Sequence, residues 1–305
     1  MPAEKRRSAL LEGVTAGVLF GTAAVFVRFA AGINASSVAF WRLAIAFAAL
    51  TIFVLFSRKA LQVDLIRKNA KTLIVLSALL GFHFVFFTSA VNDTTILNAT
   101  VLVNTVPFFS LLISALVFRL KPSRQALFGL GISFIGIWLI AIGESVIKGT
   151  TGGVSPSLRG DLEAVFAAVF LALYLNYGKV VRNRMNIFSL MMPIYLVASL
   201  FVGFGSLAFG NSVLSIHLTP VVVASLIGLG LLPTAVAHTL YFSSLSSLKS
   251  FETATLALLE PVGATILGIA AFDEVPAPIF ALGAALVLAG IFFTIRKGEK
   301  GFELS

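Results

Sequence analysis

Of 305 residues, 58% are hydrophobic and only 11% are charged, too little polar surface to cover a water-facing globule of that length. The net charge of +9 is not gathered on one segment with interleaved aromatics, which argues against a nucleic-acid partner. The sequence contains no cysteine, so disulfides, a thiolate nucleophile and a sulfur-ligated metal are excluded.

A bilayer core of about 30 Å takes about 20 mostly apolar helical residues per crossing. Ten such runs occur in chain order, near 10–31, 36–57, 72–91, 95–118, 125–143, 161–179, 187–209, 220–247, 251–272 and 279–295. The eighth is long and contains Pro233, which predicts a tilted or broken helix. "EKRR" before the first run has the outline of a signal peptide. Its removal would undo the pairing of spans described below, so the run is read as a span.

Basic residues alternate between loops. With the N-terminus inside, inward segments carry Lys5, Arg6 and Arg7, then Arg58, Lys59, Arg67, Lys68 and Lys71, then Arg119, Lys121 and Arg124. Further on they carry Lys179, Arg182, Arg184, Lys249, Arg296, Lys297 and Lys300. Outward loops hold only Lys148 and Arg159. This positive-inside pattern puts both termini in the cytoplasm and makes the charge a signature of topology.

"FRLKPSRQALFGLGISFIGI" from Phe118 and "FDEVPAPIFALGAALVLAGI" from Phe272 align without a gap, 154 residues apart. At that spacing Pro107 meets Pro261, and "FTSA" at Phe87 meets "YFSS" at Tyr241. Five spans per copy force the second copy to enter the membrane upside down. The loop that carries Arg119, Lys121 and Arg124 inside then lies outside in the second copy, where it carries Asp273 and Glu274. The expected units are a first repeat over 1–144, an external connecting loop over 145–160 and a second, inverted repeat over 161–305.

"FWRLAIA" early in span two, the internal prolines of "NTVPFFSLL" and "LEPVGATIL", and "GLGISFIGIWLI" and "GAALVLAGIFF" closing each half all occur in order. In these features the chain resembles the drug/metabolite transporter superfamily, EamA type, over essentially its whole length. The resemblance implies an all-α polytopic membrane protein. Its ten transmembrane helices would form two inverted five-helix repeats, basket-like around a central cavity, that export small metabolites. The acidic residue such proteins often carry after spans four and nine appears as Glu274, whereas Leu120 replaces it in the first copy. The abundance of phenylalanine, 29 residues, resembles the bacterial YddG-type aromatic amino-acid exporters.

Polar side chains inside spans should face protein or a wet cavity. In span eight Thr234, His238 and Tyr241 form one stripe, and in span six Phe170, Tyr174 and Tyr177 repeat its spacing. Span three places His83 and Phe87 one turn apart. Span four has Asn98 and Thr105 on one side and Thr100 and Asn104 on the other. Helix-to-helix hydrogen bonding and substrate contact both remain open for the hydroxyls and amides. For Phe87 and Phe170 the choice lies between core packing and ligand contact. His83 and His238 are read as functional, since ionisable groups in membrane spans usually are. Arg42, early in span two, is expected to snorkel to headgroups. Glu260 precedes Pro261 deep in span nine, where it either carries a coupled proton or braces the kink. Pro107 and Pro261 are expected hinges.

No span carries GxSxG, HExxH or paired aspartates, and no TVGYG-like filter occurs, so an intramembrane enzyme and a channel are the weaker readings. The expected protein is a monomeric exporter without cofactor or metal, in the bacterial inner membrane. Its partners are the lipid bilayer and a small substrate, foremost an aromatic or large neutral amino acid. The expected cavity is lined by Phe20, His83, Phe87, Asn104, Phe170, Tyr174, Thr234, His238 and Tyr241. Carriers of nucleotide sugars, phosphate esters or cationic drugs are the family alternative, and for phosphates interior Lys or Arg would be required.

Overall fold

A computed structural model describes residues 3–30, 32–93, 96–120, 122–148, 157–210, 212–263, 266–267 and 278–295. Among them no strand occurs. Span one comprises α1 (Ala3–Phe20) and α2 (Thr22–Phe29), span two α3 (Ala35–Ser57). A short α4 (Val63–Lys68) precedes span three, α5 (Ala70–Asp93). Span four is split into α6 (Ile96–Val103) and α7 (Val106–Leu116), and span five is α8 (Arg124–Lys148).

The second half has α9 (Leu158–Arg182) as span six and α10 (Ile187–Ala208) as span seven. Span eight joins α11 (Pro220–Leu229), a π-helical segment (Gly230–His238) and α12 (Thr239–Ser244). Span nine starts as α13 (Ser250–Leu256), tightens into a 3-10 turn (Ala257–Leu259) and continues helically over 260–263; the rest of 251–272, apart from 266–267, lies outside the described residues. The last span is α14 (Ile279–Ile295). Asp273 and Glu274 also lie outside the described residues, as do the side chains of Asn98 and Thr100. Helix α8 runs on to Lys148, past the expected end of span five at 143.

Among the described residues six helical stretches are long and apolar enough to cross a bilayer, from Glu4–Val27 to Pro220–Ser244, and three shorter apolar helices accompany them. Their packing repeats across the halves. Helix α5 lies on α9, and its counterpart, the π segment with α12, lies on α1. Helix α6 lies on α9, and its counterpart α13 lies on α1 together with the 3-10 turn. Helices α3 and α10 pack on each other, as do α8 and α14. Each of these contacts made by one half is thus returned by the other, as two-fold related units require.

The inversion is visible where α8 crosses α14. Gly129 abuts Gly290 and Thr294, while Gly136 abuts Gly283 and Val287, so the two helices run antiparallel. The breaks match as well. Span four interrupts at Asn104–Thr105, just before Pro107, and the 3-10 turn Ala257–Leu259 falls at the equivalent place before Pro261. Proline removes one intrahelical donor, so the turn before it loosens. At one end of the bundle Arg6 bonds Glu252 Oε1 at 3.0 Å and the Ile295 carbonyl at 2.5 Å, tying α1 to α13 and α14.

Candidate functional site

Helix α3 starts where Asn34 Oδ1 accepts the Ser36 N–H at 2.8 Å, which sets Arg42 two turns in. Arg42 is 3% exposed, on the face that also buries Ala39, Leu43 and Ala46. The snorkelling expected of it does not occur. Its Nε donates to Thr234 Oγ1 at 3.0 Å, and its guanidinium carbon sits 3.8 Å from the Phe84 ring centroid, so a hydroxyl and a π face draw it inward.

Thr234 is presented by the π segment. Pro233 has no N–H to give, and Thr234 Oγ1 donates to the Leu229 carbonyl five residues back at 2.7 Å. Tyr195 of α10 donates to the Thr234 carbonyl at 2.9 Å and shares a hydrogen bond with Thr239 Oγ1 at 3.1 Å. Close approach of this segment to α3 depends on Gly230, where a Cβ would meet Ile45 Cβ at 2.6 Å. Span eight is therefore neither simply tilted nor cut at Pro233: one widened stretch turns Thr234 toward α3.

The histidines meet. Their ring centroids are 6.2 Å apart, and His238 is wedged between Phe20 at 4.8 Å and Phe84 at 4.9 Å. His83 Nδ1 lies 3.0 Å from the Ala167 carbonyl, which can only accept, so Nδ1 carries the proton and Nε2 is left as an acceptor. His238 Nδ1 and the Tyr241 hydroxyl are buried without a hydrogen-bond partner among the described residues. Tyr241 packs edge-on against Phe20 at 5.2 Å.

These groups surround a cavity of about 40 Å³, whose lining includes Phe20, Arg42, His83, Phe84, Phe87, Asn104, Pro107, Leu171, His238, Ala257 and Glu260. Both halves contribute. Of the expected residues, Phe20, His83, Phe87, Asn104 and His238 line it together with Pro107 and Glu260. Thr234 and Tyr241 stand one contact behind, holding Arg42 and Phe20. Pro261 is buried next to Glu260.

Two expected lining residues stand elsewhere. Phe170 stacks on Phe82 at 5.0 Å and Phe86 at 5.6 Å, while Tyr174 is fully buried, beside Phe242 and donating to Met191 Sδ at 3.5 Å. Helix α9 instead turns Leu171 to the cavity and the Ala167 carbonyl to His83, because the small Ala167, Ala168 and Ala172 let α5 and α7 pack closely there. Arg42 and Phe84 are the charged and aromatic lining residues that sequence reasoning misses. The signal for Arg42 was a charge inside an apolar span, which marks function unless the side chain reaches an interface.

Helices that bury polar and ionisable groups around a shared cavity, in two inverted halves, follow a plan common among membrane transporters. The sequence profile of the EamA-like transporter family matches residues 7–142 and 158–296, one copy per half. The chain belongs to this family, within the drug/metabolite transporter superfamily, and is a multi-pass membrane transporter. It is 26% identical over 273 residues to "Uncharacterized transporter YdfC" of Bacillus subtilis, covering 88% of this chain and 84% of that one. An "Uncharacterized transporter" of Archaeoglobus fulgidus is 25% identical over 289 residues, 93% of this chain and 95% of that one. A solved crystal structure superposes with a TM-score of 0.79 at 18% identity, covering 94% of this chain and 96% of its own, a likeness of fold.

Proposed function

We propose that this protein exports aromatic and large neutral amino acids by alternating access. The observation that supports this reading is the cavity between the halves, where Phe20, Phe84 and Phe87 offer aromatic faces beside one guanidinium and one carboxylate. An amphipathic zwitterion matches that mixture. A phosphate ester would find one cation, Arg42, and an opposing Glu260, a poor balance for a dianion. A cationic drug would face Arg42.

At its present size the cavity takes a few water molecules and no amino acid. Entry of substrate therefore requires the repeats, 1–144 and 161–305, to part, with the breaks before Pro107 and Pro261 as hinges. The carrier is read as a monomer, with the cavity lying between the two halves of the chain. It acts in the bacterial inner membrane with both termini cytoplasmic, in line with the positive-inside charge pattern.

The test is a substrate screen on purified protein in liposomes. Saturable counterflow of phenylalanine, methionine or threonine, mutually competitive, is expected. Transport of sugar phosphates or nucleotide sugars without amino acids would overturn the assignment, and chemical turnover without translocation would indicate an enzyme.

A further inference from the structure

We propose that Arg42 and Glu260 read the two charged ends of the substrate, Arg42 taking the carboxylate and Glu260 the ammonium. The inference rests on the amino-acid reading above and assigns its specificity to two residues.

Arg42 is held from two sides and open on a third. Its Nε is used by Thr234 and its plane lies over Phe84, which fixes the orientation of the guanidinium. Its terminal amino groups have no hydrogen-bond partner among the described residues, yet Arg42 lines the cavity. Paired terminal N–H groups match a carboxylate in a two-point contact that an ammonium group cannot imitate.

Glu260 lines the same cavity, brought there by the 3-10 turn before Pro261. Were the two charges a structural pair, they would be expected to close into a direct bridge, because a buried charge left open is costly. Among the described residues the Glu260 carboxylate makes no such bridge and no other hydrogen bond, although each group acts electrostatically on the other. The space between them suits a ligand that carries the complementary charge to each. The buried Nδ1 of His238, without a hydrogen-bond partner among the described residues, stands beside that space and supplies a further polar contact.

The arrangement predicts rejection of molecules with only one charge. An amine lacking the carboxylate leaves Arg42 unmatched and is repelled by it, and an acid lacking the ammonium does the same at Glu260. One charged hydrogen bond lost in such a site corresponds to roughly tenfold or more in affinity.

The experiment is competition against radiolabelled phenylalanine counterflow in proteoliposomes, using phenethylamine and 3-phenylpropionate as single-charge analogues. In the parent, each should compete at least about tenfold more weakly than unlabelled phenylalanine. Arg42→Gln should narrow the gap for phenethylamine, Arg42→Lys should narrow it less, and Glu260→Gln should narrow the gap for 3-phenylpropionate. Equal competition by all three compounds in the parent overturns the inference while leaving amino-acid transport intact. This parent comparison needs no variant to fold. Unchanged gaps in folded variants overturn it too. If no amino acid moves at all, the functional reading fails and this inference with it.

Discussion

Gly136 lies so close to Gly283 that a Cβ on Gly136 would fall 2.6 Å from the Gly283 carbonyl oxygen, and a Cβ on Gly129 would fall at the same distance from the oxygen of Gly290. In the repeat, Gly283 is the counterpart of Gly129 and Gly290 of Gly136. The two contacts are therefore one contact made twice, the self-complementary crossing that a two-fold axis produces. Small residues at such crossings let helices approach in lipid, where packing replaces the hydrophobic drive. Gly136→Val and Gly129→Val should each cost about 1–3 kcal/mol by overpacking, seen as a lower thermal transition in detergent. Gly131→Ala, where an added Cβ meets nothing within 4 Å, should leave the transition unchanged or raise it. Equal effects at all three positions would mean that the crossing is not tightly packed.

Topology is checked from outside the cavity. Single cysteines introduced at Ser123 and Ala277, in matched loops of the two copies, should be labelled by an impermeant maleimide from opposite sides of the membrane. Ala277 lies outside the described residues, so this experiment tests the repeat itself. Labelling of both from one side would contradict the inversion.

The repeat is legible in the sequence because Pro107, Gly129 and Gly136 meet Pro261, Gly283 and Gly290 at one spacing, and glycine and proline are the residues that backbone geometry constrains most. His83 and His238 are legible because lipid tolerates so few ionisable groups. Arg42 is not, since its distance along the span fits both snorkelling and burial, and only the hydroxyl of Thr234 and the ring of Phe84 decide between them. Phe170 misleads for the opposite reason: an aromatic stripe has the same spacing whether it lines a cavity or packs on Phe82 and Phe86. The π segment is announced by Pro233, but a proline signals a disturbed helix without saying that the turn widens.

That widened turn has its own test. Pro233→Ala restores a donor and favours ordinary α-helical winding, which would rotate Thr234 away from Arg42 relative to His238. Transport should fall by on the order of tenfold while the thermal transition holds or rises, as expected when a positioning element is displaced. Tyr195→Phe removes the hydrogen bonds to the Thr234 carbonyl and Thr239 and should lower stability by about 1 kcal/mol with a smaller loss of transport. If Pro233→Ala lost only stability, the π segment would be a packing feature without a part in the site.

The energy source follows from the charges in the cavity. Glu260 shares the lining with Arg42, His83 and His238, and Tyr241 acts on it electrostatically. If the substrate brings its own ammonium to Glu260, a proton is not needed there to complete the cycle. A zwitterion crosses with no net charge, so counterflow should persist without a proton gradient and ignore the membrane potential. Glu260→Gln should then raise KM by roughly tenfold, without altering a response to pH gradient that the parent lacks. A carrier that moves one proton per cycle behaves otherwise. Each elementary charge crossing is worth about 2.3 kcal/mol per 100 mV, which is roughly fiftyfold in the accumulation ratio. Measuring counterflow and accumulation at fixed pH, with and without an imposed potential, separates the two. Accumulation of that size in the parent, lost in Glu260→Gln while binding survives, would make Glu260 the coupling group and overturn the expectation of proton-independent transport.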